Sequence, residues 1–278
     1  MTLTSPFTPI ATGWGAVEGP AFDRHGSLFF VSSDRGAIVR VGTDGVVAEW
    51  ANTGGIPAAL AFAADGTMVV TDSGPTRRGL LTAANGNVTT IVDAYQGTPF
   101  NGCNDLAFAA DGTLYFSDPW QTSLANPTGA FYRRFPDGRL ERIDQGLAFP
   151  NGVALAADGS AVFLAETYTN RIYRYPLSPD GTIGPRETFA QLDGECGPDG
   201  MAFDIAGTLY VAHYDEGRLD LLDPTGQVVG AIPVPGPQPT NLAFGGPDRR
   251  TLVVTENSAG TVYRATVAVP GAPLFGDV

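Results

Sequence analysis

Glu18, Asn104, Asn151 and Asp199 hold the same place in four copies of one repeated segment, each four residues ahead of an apolar anchor. Ala58 and Thr240 are the equivalents in the other two copies. Brought to one point, two carboxylates repel each other, and burial raises the cost of both. A divalent cation resolves this: two negative charges neutralise it, and the two amide carbonyls add donors without adding charge. All-oxygen coordination favours a hard cation, calcium first, with magnesium or manganese next; zinc or iron are the remaining candidates for a divalent ion there. A zinc site of His and Cys is poorly served. The chain has two histidines, His25 in a turn and His213 in another repeat, and two cysteines, Cys103 and Cys196. A turn-capping role accounts for any one Asp or Asn at a strand start. Four in register at one rim point to a metal or ligand site.

The repeat must do the positioning. Its copies are EGPAFDRHGSLFFVSS from Glu18, AALAFAADGTMVVTDS from Ala58, NDLAFAADGTLYFSDP from Asn104, NGVALAADGSAVFLAE from Asn151, DGMAFDIAGTLYVAHY from Asp199 and TNLAFGGPDRRTLVVTEN from Thr240. The anchors Phe22, Phe62, Phe108, Leu155, Phe203 and Phe244 are spaced by 40, 46, 47, 48 and 41 residues. Each copy reads as a strand, a tight turn (Asp-Gly in three of them) and a second strand rich in Val, Leu, Phe and Tyr. Third strands follow, as at 36–42, 129–135, 170–177, 217–223 and 260–266. More polar fourth strands appear at 46–51, 88–94 and 139–145. Four antiparallel strands repeated six times predict an all-β, six-bladed β-propeller forming a single domain over 1–278. The sixth unit lacks a fourth strand, and FTPIATG (7–13) has no partner of its own. It is therefore expected to close the ring.

Composition narrows the function. The 278 residues carry 16 basic and 29 acidic side chains, net −13, which disfavours nucleic acid and anionic membrane as partners. No apolar run reaches the length of a membrane helix, the N-terminus shows no secretory signal, and two cysteines make no disulfide framework. A cytoplasmic protein, monomeric or a small homo-oligomer, is expected. Neither a G-x-S-x-G motif nor enough histidines for a nucleophilic triad is present.

The motifs EGPAF (18–22), GCNDLAF (102–108), FPNGVAL (149–155) and PDGMAFD (198–204) resemble those of the regucalcin/gluconolactonase (luciferin-regenerating-enzyme-like) superfamily, to which diisopropyl fluorophosphatase is related. The resemblance spans roughly residues 10 to 270. It implies a six-bladed propeller with a divalent metal in its channel, and Glu18, Asn104, Asn151 and Asp199 as ligands. It further implies lactone hydrolysis, with Asp105 beside the metal or substrate. Sugar-lactonase members related to regucalcin carry an arginine two or three residues before the third-blade asparagine. Here that stretch is Pro99–Cys103, without arginine, closer to the gluconolactonase-like and fluorophosphatase-like branches. On this reading a cation polarises the lactone carbonyl and offsets the oxyanion, while Asp199, or alternatively Asp105, accepts the proton of the attacking water. Asn101, Asn104, Trp120, Tyr168 and His213 are the expected substrate contacts, with Phe149 and Tyr214 as further lining candidates. The loop 118–129 is a candidate lid or pocket wall. The alternatives are a phosphotriesterase or fluorophosphatase acting through the same ring, and a non-catalytic propeller that binds calcium or a partner.

Overall fold

The inner turns show why the repeat folds as it does. In the second, third and fourth copies the Asp side chain accepts the N–H two residues on, as Asp65 Oδ1 does from Thr67 at 2.8 Å. The following glycine takes positive φ, +86° at Gly66, where a Cβ would be strained. Each such turn reverses the chain into a fully buried second strand, such as Met68–Asp72 or Leu114–Asp118. The computed structural model of the chain describes residues 3–273; residues 1–2 and 274–278 of the expected 1–278 domain lie outside the described residues.

Six four-stranded antiparallel sheets result, each in the order inner to outer. Their inner strands are Val17–Phe22, Pro57–Phe62, Leu106–Phe108, Pro150–Leu155, Pro198–Phe203 and Pro239–Gly245. The sixth sheet runs Pro239–Gly245, Thr251–Glu256, Thr261–Val267 and then back to the N-terminal strand Leu3–Ala11. Ring closure by the N-terminal segment therefore stands, over a longer strand than 7–13. Pro6 and Pro9 are tolerated there because an outermost strand has one unpaired edge. The third and fourth strands fall where the sequence places them, within a residue or two. The sequence had not resolved the third strand of blade 2 (Gly79–Ala84), the outer strands Glu187–Gln191 and Val228–Pro233, or a small hairpin, Ala94–Tyr95 with Thr98–Pro99.

Six hydrophobic clusters hold the ring together, one in each seam between neighbouring blades. Phe29, Val31 and Ile38 of blade 1 meet Leu60, Val70 and Leu81 of blade 2. Ala243, Val253 and Val262 of blade 6 meet Val17, Phe30 and Val39 of blade 1. Each blade is thus wetted on neither face, so the second strands are buried throughout rather than alternating.

Candidate functional site

The strand starts are delivered to the axle by a device repeated around the ring. The last residue of each second strand, or one near it, is tied to the backbone two or three residues ahead of the channel position. Asp72 accepts the Ile56 N–H at 2.9 Å, and Asp118 accepts those of Asn101 and Gly102 at 3.0 and 2.7 Å. Glu166 accepts Ala148 N–H at 2.7 Å, Glu256 accepts Gln238 N–H at 3.1 Å, and Asp34 accepts Ala16 N–H at 3.1 Å. In blade 5 the polarity is reversed, with His213 Nε2 2.7 Å from the Cys196 carbonyl oxygen. Asp118→Ala leaves two N–H groups, one buried and one half-buried, without an acceptor beside Asn104. It is expected to cost about 2–4 kcal/mol, read by urea unfolding.

A second set of bonds crosses the seams at the same level. Ser33 Oγ donates to Pro57 O at 2.7 Å, Thr240 Oγ1 to Val17 O at 2.9 Å and Thr167 Oγ1 to Pro198 O at 2.8 Å. Thr71 Oγ1 donates to the Asn104 carbonyl, and Asp105 Oδ2 accepts the Val153 N–H at 2.7 Å. The channel positions of adjacent blades are thereby locked to one another.

Within this frame Glu18, Asp199, Asn151 and Asp105 interact around the axis, with Asn241 among them. Asn151 and Asp199 are buried, and Glu18 and Asn104 are half-buried. Because the Thr167 hydroxyl spends its proton on Pro198 O, it accepts from Asn151 Nδ2 at 3.1 Å. That fixes the amide with Oδ1 turned the other way, and Asn151 Oδ1 has no hydrogen-bond partner among the described residues. Asp199 Oδ1 is likewise buried and without a partner among them. Glu18 Oε2 accepts the Gly19 N–H at 2.8 Å. The Asn104 side chain makes no hydrogen bond among the described residues; its backbone is held by Ser117 O and Thr71. Burial pushes the Glu18 carboxyl up to about 8 and Asp105 up to about 6. Burial, then the charges of Glu18 and Asp105, push Asp199 well above the usual carboxylate range. Buried oxygens without partners, in a centre this short of positive charge, fit a divalent cation held by Glu18, Asn104, Asn151 and Asp199.

If Thr167 sets the Asn151 amide, Thr167→Val removes that constraint while keeping the side-chain volume. It should weaken calcium binding by about tenfold in an isothermal titration, with little change in secondary structure.

Asn241 is the residue that sequence reasoning missed. It lies one position beyond the Thr240 of the expected ring, and its side chain favours the charged forms of both Glu18 and Asp105. The signal was in the neighbouring position. After the channel residue comes glycine in three blades (Gly19, Gly152, Gly200) and a side chain in three (Ala59, Asp105, Asn241). A Cβ on Gly200 would stand 2.1 Å from the Asn241 side chain, so glycine in one blade makes the room that the amide of the next fills.

Two expected substrate contacts are used otherwise. His213 is fully buried; Nδ1 lies 2.6 Å from Asp220 Oδ2 and Nε2 faces Cys196 O, so no ring atom is left for a ligand. Its place is behind the turn that delivers Asp199. His213, Asp220 and Asp193 could be read as a metal cluster. The Arg218 guanidinium already lies 2.7 Å from Asp220 and 2.6 Å from Asp193 and supplies the positive charge there. Asn101 Nδ2 donates to Thr128 O at 3.0 Å and so ties down the loop 118–129. Trp120, Phe149 and Tyr168 are brought together at the rim, with ring centroids 5.8 and 4.9 Å apart. Trp120 lies over Gly102, just ahead of Asn104, and Phe149 just ahead of Asn151, so the aromatic strip flanks the two asparagines. Phe149 holds φ at +64°, strained for a bulky side chain. Trp120 and Tyr168 remain 42% and 45% exposed. Cys103 is buried in the seam between blades 2 and 3, and burial pushes its thiol up.

Fold and site together define a six-bladed propeller with an oxygen-donor ring on its axle. The sequence profile of the SMP-30/gluconolactonase/LRE-like region matches residues 16–258. The chain belongs to that family. It is 32% identical over 244 residues to the lactonase drp35 of Staphylococcus aureus, covering 84% of this chain and 75% of that one. It is 29% identical over 289 aligned positions to the diisopropyl-fluorophosphatase of Loligo vulgaris, covering 93% and 91%. The solved regucalcin of Agrobacterium tumefaciens, described as a calcium-binding protein, superposes with a TM-score of 0.84 at 24% identity over 99% of both chains, a likeness of fold.

Proposed function

We propose that the protein is a divalent-cation-dependent lactonase whose reaction takes place at the axle. The carrying observation is the pair of buried, unpartnered oxygens, Asn151 Oδ1 and Asp199 Oδ1, in a centre that also holds Glu18. Membership of a family that includes a lactonase 32% identical to this chain supports the choice of reaction.

Glu18, Asn104, Asn151 and Asp199 hold the cation, calcium being the first choice for an all-oxygen set. When bound, it supplies an electrophile for a carbonyl and charge to offset an oxyanion. The residues of the chain do the rest. Asp199 accepts the proton of the attacking water and returns it to the ring oxygen as the C–O bond opens, giving a hydroxy acid. Asp105 is the weaker candidate for this role, because its carboxylate is spent on Val153 N–H and lies one step deeper in the channel. The aromatic strip seats the body of the lactone, and the clamp residues, His213 included, keep the donors aimed.

Lactone hydrolysis followed by pH-stat tests this directly. Chelation should abolish turnover and added calcium restore it; full turnover in metal-stripped protein would refute the cation dependence. The match to a fluorophosphatase over 93% of the chain makes phosphotriesters the second reading, so the same assay includes them. Faster phosphotriester than lactone hydrolysis would transfer the proposal to that class.

A further inference from the structure

The six apolar anchors that reveal the repeat have no part in the chemistry above. Phe22, Phe62, Phe108, Leu155, Phe203 and Phe244 line a cavity of about 970 Å3. None of Glu18, Asn104, Asn151 and Asp199 borders it, whereas Asp105 and Asn241, one step further along their strands, do. The cavity therefore occupies the far side of the channel from the donor ring. Its volume is that of a small-molecule site, and its walls are mostly apolar. Phe22, Phe62, Phe108 and Leu155 are only half-buried, so apolar surface is left facing the space.

One edge of the cavity is cationic. Arg24 and Arg40 of blade 1 border it, and neither forms an ion pair among the described residues. The Arg24 guanidinium spans the mouth toward blade 2, its carbon 3.4 Å from where a Cβ on Gly66 would stand. Arg40 donates one N–H to Ser27 Oγ at 2.8 Å. The two carboxylates of this edge are engaged chiefly in their own turns, though the Arg24 charge also helps to lower the Asp65 carboxyl. Asp23 accepts the His25 and Ser27 N–H groups at 2.9 and 2.8 Å, and Asp65 accepts that of Thr67 at 2.8 Å. At the inner end, Asp105 Oδ2 already accepts the Val153 N–H at 2.7 Å.

We infer that this cavity is a second ligand site, for an amphipathic carboxylate whose aliphatic or aryl body fills the anchor-lined space while its single anionic head meets Arg24 and Arg40. Two guanidinium groups with open N–H donors match one carboxylate. A polyanion is disfavoured by Asp23, Asp65 and the net charge of −13.

The test uses decanoate as the probe, in isothermal titration against the full chain with chelator present, so that a carboxylate bound through a cation at the axle contributes nothing. Saturable binding at one site is expected. Arg24→Ala/Arg40→Ala should weaken it by at least about tenfold and leave lactone turnover unchanged. Ala202→Leu, which fills the wall from a half-buried position, should weaken it by a similar factor without touching the charges. Decyltrimethylammonium, with the same tail and opposite charge, should bind at least about tenfold more weakly. The proposal is overturned by any of three results: no saturation up to about 1 mM, equal affinity for the two probes, or decanoate binding that both variants leave intact.

Discussion

Asp199→Asn should lower lactone turnover by about three orders of magnitude while leaving the far-UV circular dichroism unchanged. Under the proposed mechanism the substitution keeps shape and removes two things at once. One is the carboxylate that takes the proton. The other is half of the negative charge that the ring offers a cation. Loss of the base lowers kcat, and loss of the charge raises the calcium concentration needed for half-maximal rate, so the two effects separate in a calcium titration of the rate. Stability should move the opposite way from activity. Without a cation, Asp199 is a buried carboxyl whose charged form is disfavoured by its surroundings and by Glu18 and Asp105. The neutral amide escapes that cost, so the cation-free variant should melt at or above the temperature of the cation-free parent. A variant that keeps its rate within tenfold would remove Asp199 from the chemistry.

Cation-free protein should lose stability as pH rises, by about 5–10 °C in melting temperature between pH 4.5 and 8.5. The folded-state pKa of Glu18 is raised to about 8 and that of Asp105 to about 6, both by burial. In that window the folded chain binds more protons than the unfolded chain, and stability falls as pH climbs through the raised values. The stability present near the unfolded carboxyl pKa is thus lost by the time Glu18 ionises. Calcium should reverse the slope, because only the ionised ring binds it well and its binding adds stability that grows with pH. Differential scanning calorimetry with chelator and with calcium reads both limbs. Parallel curves, with no calcium-dependent gain at high pH, would count against a cation site of this composition.

Most of the architecture was legible because a propeller repeats. The anchors Phe22 to Phe244 and the Asp-Gly turns recur at one interval, and each copy corrects the reading of the others. What escaped lacked that support. Gly79–Ala84 follows a Gly-, Pro- and Arg-rich connection and has little β-branched character, and Val228–Pro233 mixes Gly and Pro into an outer strand that packs on one side only. Neither identity nor periodicity marks such strands; pairing with the neighbour makes them.

The candidate site was legible to the resolution of one residue. Counting back four from each anchor finds Glu18, Asn104, Asn151 and Asp199, but the inner strands are irregular at that point and not all in the same way. In blades 1, 4 and 5 the pairing register shifts across 18–21, 150–153 and 198–201, with a glycine inside each shift. In blade 6 the shift is shorter, 239–241, and Asn241 joins Thr240 beside Glu18. A single count could not see this. His213 misled for another reason. Its type suits catalysis, and its position at the end of a second strand suits a rim. In five blades the residues at or near that place bind backbone, and His213 does the same with a donor where the others use an acceptor.

The measurement that bears most directly on the central claim is an anomalous difference map from crystals grown with manganese in place of calcium. A single strong peak on the propeller axis, bonded by oxygens of Glu18, Asn104, Asn151 and Asp199, is the predicted result. A peak bound elsewhere, or the four side chains turned from the axis with no density between them, would contradict it.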